Sequence, residues 1–301
     1  MIPEERRSKI QQRLAQHLTV TIAGLAEELG ASEMTIRRDL DELEERGICQ
    51  RIHGGAVSLR VQEYRGPTYP SYGQREQQQA REKIAIARAA AALVRPAEVI
   101  AIDSGTTAAY LAQALRNTQP LTVLPISFRL LDQLHDVTSI ALICPGGALS
   151  LEDRNLASGD LSFVGPLTVA ALRNFRPNKA FVSTSGLTVA DGITNAALFQ
   201  AEIKRTLIEI AEEAILITDH TKFGRASGFL VARVHEFRKI ITDSAAPAED
   251  VAALRRQGIE VILVEPAGEA QPLRPSVLAA AYSGGATTAA HELREGNSQA
   301  Q

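Results

Sequence analysis

The chain is poor in cysteine, carries no strong excess of either charge, and has no long apolar run. Its two cysteines, Cys49 and Cys144, stand far apart with no Cys/His cluster near either. That spacing suits neither a metal motif nor a disulfide framework, and two reduced thiols are the expectation. The first residues, MIPEERRSKIQQRL, contain no apolar signal core, and no apolar run reaches the length a bilayer demands. A soluble, cytoplasmic protein is expected, with no membrane partner, no metal and no cofactor. The formal charge is −3, so bulk charge does not attract a polyanion, and any such affinity must come from local distribution. No internal repeat is apparent.

What is present is a chain of 301 residues with 45% hydrophobic content, enough for two domains with real cores. Residues 3–16 read as a helix, with Pro3 in the first turn and Ile10 and Leu14 at helical spacing. TVTIAGLAEELG gives a short β-prone stretch and then a helix over Ile22–Leu29, closed by Gly30. Ser32 is the expected N-cap of a third helix that runs to about Glu45 and stops at Gly47. ICQRIHGGAVSLR reads as strand, Gly54-Gly55 turn, strand. Three helices followed by a hairpin is the order of a winged helix-turn-helix, expected over residues 1–60.

In the third helix, SEMTIRRDL, the stripe Ile36, Leu40, Leu43 faces inward. Met34, Arg38, Asp41 and Glu45 point away, with Thr35 and Arg37 on the flanks. The arginines lie in the N-terminal half and DELEE in the C-terminal half. Residues 1–60 hold 9 Lys/Arg and 10 Asp/Glu, segregated rather than pooled into a basic patch. Against a polyanion such a helix enters N-terminus first. Ser32, Met34, Thr35, Arg37 and Arg38, with Arg51 and His53 on the hairpin, are therefore the candidate contacts to double-stranded DNA. Arg6, Arg7, Lys9 and Arg13 cluster on the first helix. The alternative is a protein-interaction winged helix whose arginine pair is only a solvated face.

Residues 61–74, with two prolines, two glycines and no periodicity, read as a linker. REQQQAREKIAIARAAAALV starts a long Ala-rich helix. From residue 98, β-rich runs (EVIAID, LTVLPI, SIALIC, KAFVST, EAILITD, KIITD, EVILVE) alternate with helical ones, which predicts an α/β, mostly parallel, Rossmann-like sheet over 75–266. Residues 267–301 read as a disordered tail. In such sheets ligands bind beyond the carboxyl ends of the strands. There Asp103, Ser104, Gly105, Thr106 and Thr107 join a strand to a helix and offer hydroxyls and backbone N–H groups to a phosphate monoester. Gly146 and Gly147 permit close backbone approach after the third strand. Asp191, Gly192 and Asn195 of DGITN, and Asp219 and Lys222 of DHTK, fall at other strand ends. Each suits an ordinary turn singly; together they predict one pocket. Lys83, Glu202 and Lys204 are weaker candidates, because helical charges usually face water.

RRSKIQQRL, IAGLAEELGASEMTIRRDLDELEERG and RIHGGAV resemble the N-terminal domain of the DeoR family of bacterial transcription regulators. REKIAIA, DSGTT, VGP, AFVSTSGL, DGITNA, EIKR, DHTKFG and ITD are similar to that family's C-terminal sensor domain, to about residue 265. The resemblance implies a regulator of sugar or polyol metabolism genes, usually a repressor, whose sensor resembles ribose-5-phosphate isomerase in fold. It also implies a phosphorylated sugar or polyol effector. Reading repeated half-sites would need a homodimer or homotetramer. Two departures stand out. Pro125-Ile126-Ser127 replaces the family's Thr-Asn-Ser, and the 148–160 segment looks longer than usual, with Arg154 a substitute for an arginine after the glycine pair. The competing reading is an isomerase-like enzyme with an added winged helix. It needs a carboxylate base, for which Asp191 or Glu202 could serve, beside Lys222. The isomerases' Lys-plus-glycine run is replaced here by GITNAALFQ, and no enzymatic activity is expected.

Overall fold

The computed structural model describes residues 2–17, 19–46, 48–52, 54–58, 70–117, 120–150, 159–266 and 272–274. The N-terminal part contains α1 (Pro3–His17), β1 (Thr19–Thr21), α2 (Ile22–Leu29), α3 (Glu33–Glu45), β2 (Cys49–Ile52) and β3 (Gly55–Ser58). The strands form an antiparallel sheet in the order β1-β3-β2, which makes this unit a winged helix-turn-helix. Local chemistry sets its boundaries. Thr21 caps α2 by accepting from the Gly24 N–H at 3.1 Å, and Gly30 ends it at φ +59°. Ser32 caps α3 through the Thr35 N–H at 3.2 Å. Ile10, Leu14, Leu25, Ile36, Leu40 and Leu43 close the core, each contributing about 1.5–3 kcal/mol by burial. Cys49 is buried with them, and burial pushes its thiol pKa up to about 11.

The expected linker gives way to structure at its end. Ser71 and Gln74 form a capping box for α4 (Tyr72–Gln77), and Tyr72 is buried beneath the Arg129 guanidinium, 3.9 Å from the ring centre. Residues 61–69 lie outside the described residues. The single Ala-rich helix is instead two, because Gln79 turns left-handed at φ +53° before α5 (Ala80–Ala92). The Lys83 ammonium makes that break tolerable by donating to the carbonyls of Arg75 and Gln78.

There follow β4 (Val99–Ile102), α6 (Thr106–Leu115), β5 (Leu121–Pro125), α7 (Phe128–Leu134), β6 (Ile140–Leu142), β7 (Ala148–Ser150) and β8 (Ser162–Val164). Next come α8 (Pro166–Leu172), β9 (Lys179–Val182), β10 (Gly186–Thr188), β11 (Gly192–Asn195), α9 (Leu198–Ile210) and β12 (Glu213–Ile217). The last are β13 (Phe229–Ala232), β14 (Lys239–Asp243), α10 (Ala248–Arg256) and β15 (Glu260–Val264). Seven strands pair in parallel in the order β15-β14-β12-β9-β4-β5-β6. The order reverses between β4 and β9, so a crevice opens beyond their carboxyl ends.

Both faces of the sheet are covered. Ile215 and Ile217 pack with α5 and α6, while Ala214 and Leu216 pack with α8 and α9. The antiparallel sheet β10-β11-β13 and the hairpin β7-β8 were not anticipated. Strands of three or four residues leave too few alternations to register. Of the expected disordered tail, residues 272–274 are docked. Leu273 packs on the core and Arg274 pairs with Asp136 at 2.9 Å, while the rest of 267–301 lies outside the described residues.

Candidate functional site

The cleft at the β4/β9 crevice encloses about 460 Å³, partly open to solvent. Gly105 starts α6 at φ +114° and brings no side chain to cap the helix. The first-turn N–H groups therefore lack an intrahelical partner where the helix meets the cleft. Ser104, Thr106 and Thr107 line it, and among the described residues their hydroxyls make no hydrogen bond. Ser183, Thr184, Ser185 and Thr218 come from the ends of β9 and β12, and Asn195 and Gln200 from the β11–α9 segment.

Four cations line the cleft: Arg75, Lys83, Lys204 and Lys222. The nearby carboxylates are already engaged. Asp103 Oδ2 accepts from the Ser183 N–H at 2.9 Å, from its hydroxyl at 2.8 Å, and from the Lys204 ammonium. Asp160 accepts from Arg75 Nη2 at 2.9 Å and from Gln200 Nε2 at 3.1 Å. Asp219 Oδ1 caps the turn after β12 by accepting from the Thr221 N–H at 3.0 Å. Burial pushes the Lys83 pKa down to about 8, and Lys222 and Arg75 push it the same way against Asp219. With the carboxylates spent, the hydroxyls of Ser104, Thr106 and Thr107 and the first-turn N–H groups of α6 are the donors that suit an anion. Among the described residues no group of acidic, His or Cys side chains could hold a metal ion.

Of the residues expected here, the structure brings together Ser104, Gly105, Thr106, Thr107, Asn195, Asp219 and Lys222, and with them Lys83 and Lys204. Asp103 lies beneath the loop, 1% exposed, tying β4 to β9. Gly146 and Gly147 do not reach the cleft. The Gly146 carbonyl accepts from Thr168 Oγ1 at 2.8 Å, and a Cβ on Gly147 would sit 2.0 Å from that oxygen. The close approach at Gly147 is to α8. Asp191 is exposed, bonded to Thr188 Oγ1, and Gly192 packs against the Ala232 carbonyl. Glu202 is also exposed and away from the cleft. Ile126 is buried in the apolar core, and Arg154 lies outside the described residues. Arg75, Asp160, Ser183 and Gln200 were missed. Ser183 sits within the AFVSTSGL stretch, where its hydroxyl offered a signal; Arg75, Asp160 and Gln200 are assembled only by the fold.

On α3 the buried stripe is Ile36, Leu40 and Leu43, joined by Asp39, which Arg6 clasps. Arg7 pairs with Glu42 and Arg13 with Glu28, so these cations of α1 brace the unit. Met34 is 58% exposed and Arg37 pairs with Glu33 at 2.9 Å. Arg38 is exposed and makes no hydrogen bond or ion pair among the described residues. The Arg51 guanidinium is turned back onto Asp41 and onto the Arg37 carbonyl at 3.1 Å, rather than outward. Thr35 is half-buried against the Ser32 hydroxyl, and His53 lies outside the described residues.

A winged helix-turn-helix is followed along the chain by a doubly wound sheet with a polar, cation-lined cleft. Residues 6–62 match the model of the DeoR-like helix-turn-helix domain, and residues 78–244 that of the DeoR C terminal sensor domain. The chain is 34% identical over 265 residues to the HTH-type transcriptional regulator YgbI of Escherichia coli (strain K12), covering 88% of this chain and 99% of that protein. It is 30% identical over 242 residues to the transcriptional repressor AccR of Agrobacterium fabrum, covering 80% and 90%. Ribose 5-phosphate isomerase A of Neisseria gonorrhoeae is a structural neighbour at 15% identity and TM-score 0.34, over 50% of this chain and 55% of that one. The chain belongs to the DeoR family of transcriptional regulators. Among the described residues no helix is long and apolar enough to cross a membrane.

Proposed function

We propose that the protein is a repressor whose hold on operator DNA is relieved by a phosphorylated sugar or polyol. In this reading residues 1–60 bind DNA, as a homodimer or homotetramer on repeated half-sites, and the unit from Tyr72 to about residue 266 senses the effector. The observation that carries the effector class is the imbalance in the cleft. The hydroxyls of Ser104, Thr106 and Thr107 and the first turn of α6 are uncommitted, while Asp103, Asp160 and Asp219 are all engaged. A phosphate meets that offer at the helix terminus, and the Thr218 hydroxyl, held among the described residues only by a 3.4 Å bond to the Asp219 carbonyl, suits a hydroxyl of a polyol chain. The name of AccR supports the repressor role. An isomerase would need a carboxylate base aimed at its substrate; Asp191 and Glu202 lie outside the cleft, and the carboxylates that line it, Asp160 and Asp219, are tied to Arg75, Gln200 and Thr221.

On the DNA side, Ser32, Met34, Thr35, Arg37 and Arg38 present one edge of α3, with Arg38 the uncommitted cation. Arg51 positions this edge through Asp41. The test is a thermal-shift screen that pairs each sugar phosphate with its free sugar. The phosphate raises the melting temperature by mass action and the free sugar does not. Equal stabilisation by both sinks the anion reading. In gel shifts at matched salt the stabilising phosphate should release the operator; tighter DNA binding would make it a corepressor.

A further inference from the structure

Arg75 lines the cleft and holds two other groups at once. Its Nε donates to the Pro70 carbonyl at 3.1 Å, and its Nη2 donates to Asp160 Oδ1 at 2.9 Å. Pro70 is where the described chain resumes after residues 59–69, which arrive from the winged helix. Lys83 has the same double character at the other end of α4. It lines the cleft while its ammonium donates to the carbonyls of Arg75 and Gln78. The helix between the linker and the sensor is thus held at both ends by cations that face the effector site. Six residues do not hold a helix by themselves. Nor does the seat of α4 use all its polar groups, since the Tyr72 hydroxyl is buried with no hydrogen-bond partner among the described residues.

We infer that Arg75 and Lys83 carry effector occupancy to the linker: an anion in the cleft draws both cations off the carbonyls of Pro70, Arg75 and Gln78 and so loosens α4. The inference rests on the anionic-effector reading above and adds its route to the DNA-binding half. Its physical ground is a competition between acceptors. A peptide carbonyl is neutral, whereas a phosphate oxygen is ionised, and bonds to an ionised partner are roughly twice as strong. Arg75 has the donors to keep Asp160 while the Nε–H it gives to the Pro70 carbonyl turns to the ligand. For Lys83, whose charge is disfavoured by burial, an anion close by also offsets the cost of keeping the proton.

Hydrogen exchange on the full chain tests this, with inorganic phosphate, ribose 5-phosphate and glucose 6-phosphate as probes and the free sugars as controls. The expected signature is two changes of opposite sign. Amides of residues 104–108 exchange more slowly with a phosphate probe, while those of residues 72–79 exchange about five-fold faster, the scale of one lost hydrogen bond. Slowing at 104–108 with no acceleration at 72–79, or slowing at both, overturns the inference and leaves the anionic-effector reading intact. No slowing at 104–108 with any phosphate probe overturns both. Arg75→Gln should show fast exchange in α4 without ligand and no further response to phosphate. Because that variant strands Asp160, the pair Arg75→Gln with Asp160→Asn removes both charges if the single change does not fold. Slow α4 exchange in the pair, as in the unaltered chain, overturns the inference.

Discussion

The two halves of this chain use their cations differently. In the winged helix most arginines are occupied with holding the unit together, from Arg6 on the buried Asp39 to Arg13 on Glu28 at the surface. Arg6 is on Asp39, Arg7 on Glu42, Arg13 on Glu28 and Arg51 on Asp41, which leaves Arg38 exposed and uncommitted. In the cleft, charges are buried. Lys204 is 1% exposed on Asp103, Arg75 is 8% exposed on Asp160, and Lys83 is 3% exposed among carbonyls. A surface ion pair costs little to form and contributes little. A buried one must repay the desolvation of both partners, so removing one partner strands the other. Exposed braces such as Arg13–Glu28 are therefore near-neutral, whereas the cleft pairs, and Arg6–Asp39 with them, are highly sensitive parts.

The largest expected effect breaks that contrast at its extreme. Lys204→Met should destabilise the protein by about 3–5 kcal/mol, because Asp103 is left charged and buried. Urea unfolding measures it, and adding Asp103→Asn should recover much of the loss. An unchanged urea midpoint for the single variant would mean that the pair is not buried as described. Next is Arg38→Ala, which should weaken binding to a DNA site selected from random sequence by about 1–3 kcal/mol. Arg37→Ala should cost less, since Arg37 already spends a hydrogen bond on Glu33. The reverse ranking would move the reading edge of α3 to its other flank.

A smaller effect concerns pH. Lys83 has a folded-state pKa near 8, below its ordinary value, with Asp219, Lys222, Arg75 and Glu76 as the charges around it. Anion binding favours its protonated form, so phosphate affinity should fall several-fold as pH rises through about 8, with proton uptake seen by calorimetry. The phosphate monoester itself, with a second pKa of about 6, is already ionised there. Stability runs the other way. The unfolded chain binds the proton more tightly, so this lysine favours folding increasingly as pH rises from about 8 toward 10.5. Flat affinity across that range would take Lys83 out of the ligand's surroundings. The smallest effect is Arg13→Ala. It removes an ion pair to Glu28 that is about 40% exposed on both sides, and should change stability by about 0.2–1 kcal/mol. A loss comparable to that of Lys204→Met would show that surface braces are stronger in this fold than their exposure implies.

The order of elements was legible where local chemistry decides it. Gly30 and Ser32 mark helix ends by a side chain or the lack of one, whereas the Thr21 cap of α2 was not read. The seven parallel strands are continuous apolar runs because both faces are covered. The 103–107 loop was legible because hydroxyls around a glycine between strand and helix have a local meaning. The glycines misled. Gly147 does permit close approach, to Thr168, whereas Gly146 serves a left-handed φ of +69° with open space where a Cβ would stand.

What the sequence alone determined is therefore the two-part architecture, the buried stripe of α3 and the hydroxyl-rich turn at the head of α6. Each depends on residues within a few positions of one another. Only the tertiary structure decided which charges are free. Arg51 meets Asp41 ten positions away, Arg75 meets Asp160 across 85, and Lys204 meets Asp103 across 101. A charge is spent or available according to what lies within a few ångströms of it, and for these residues the crossovers of the fold, not neighbours in the chain, supply that partner.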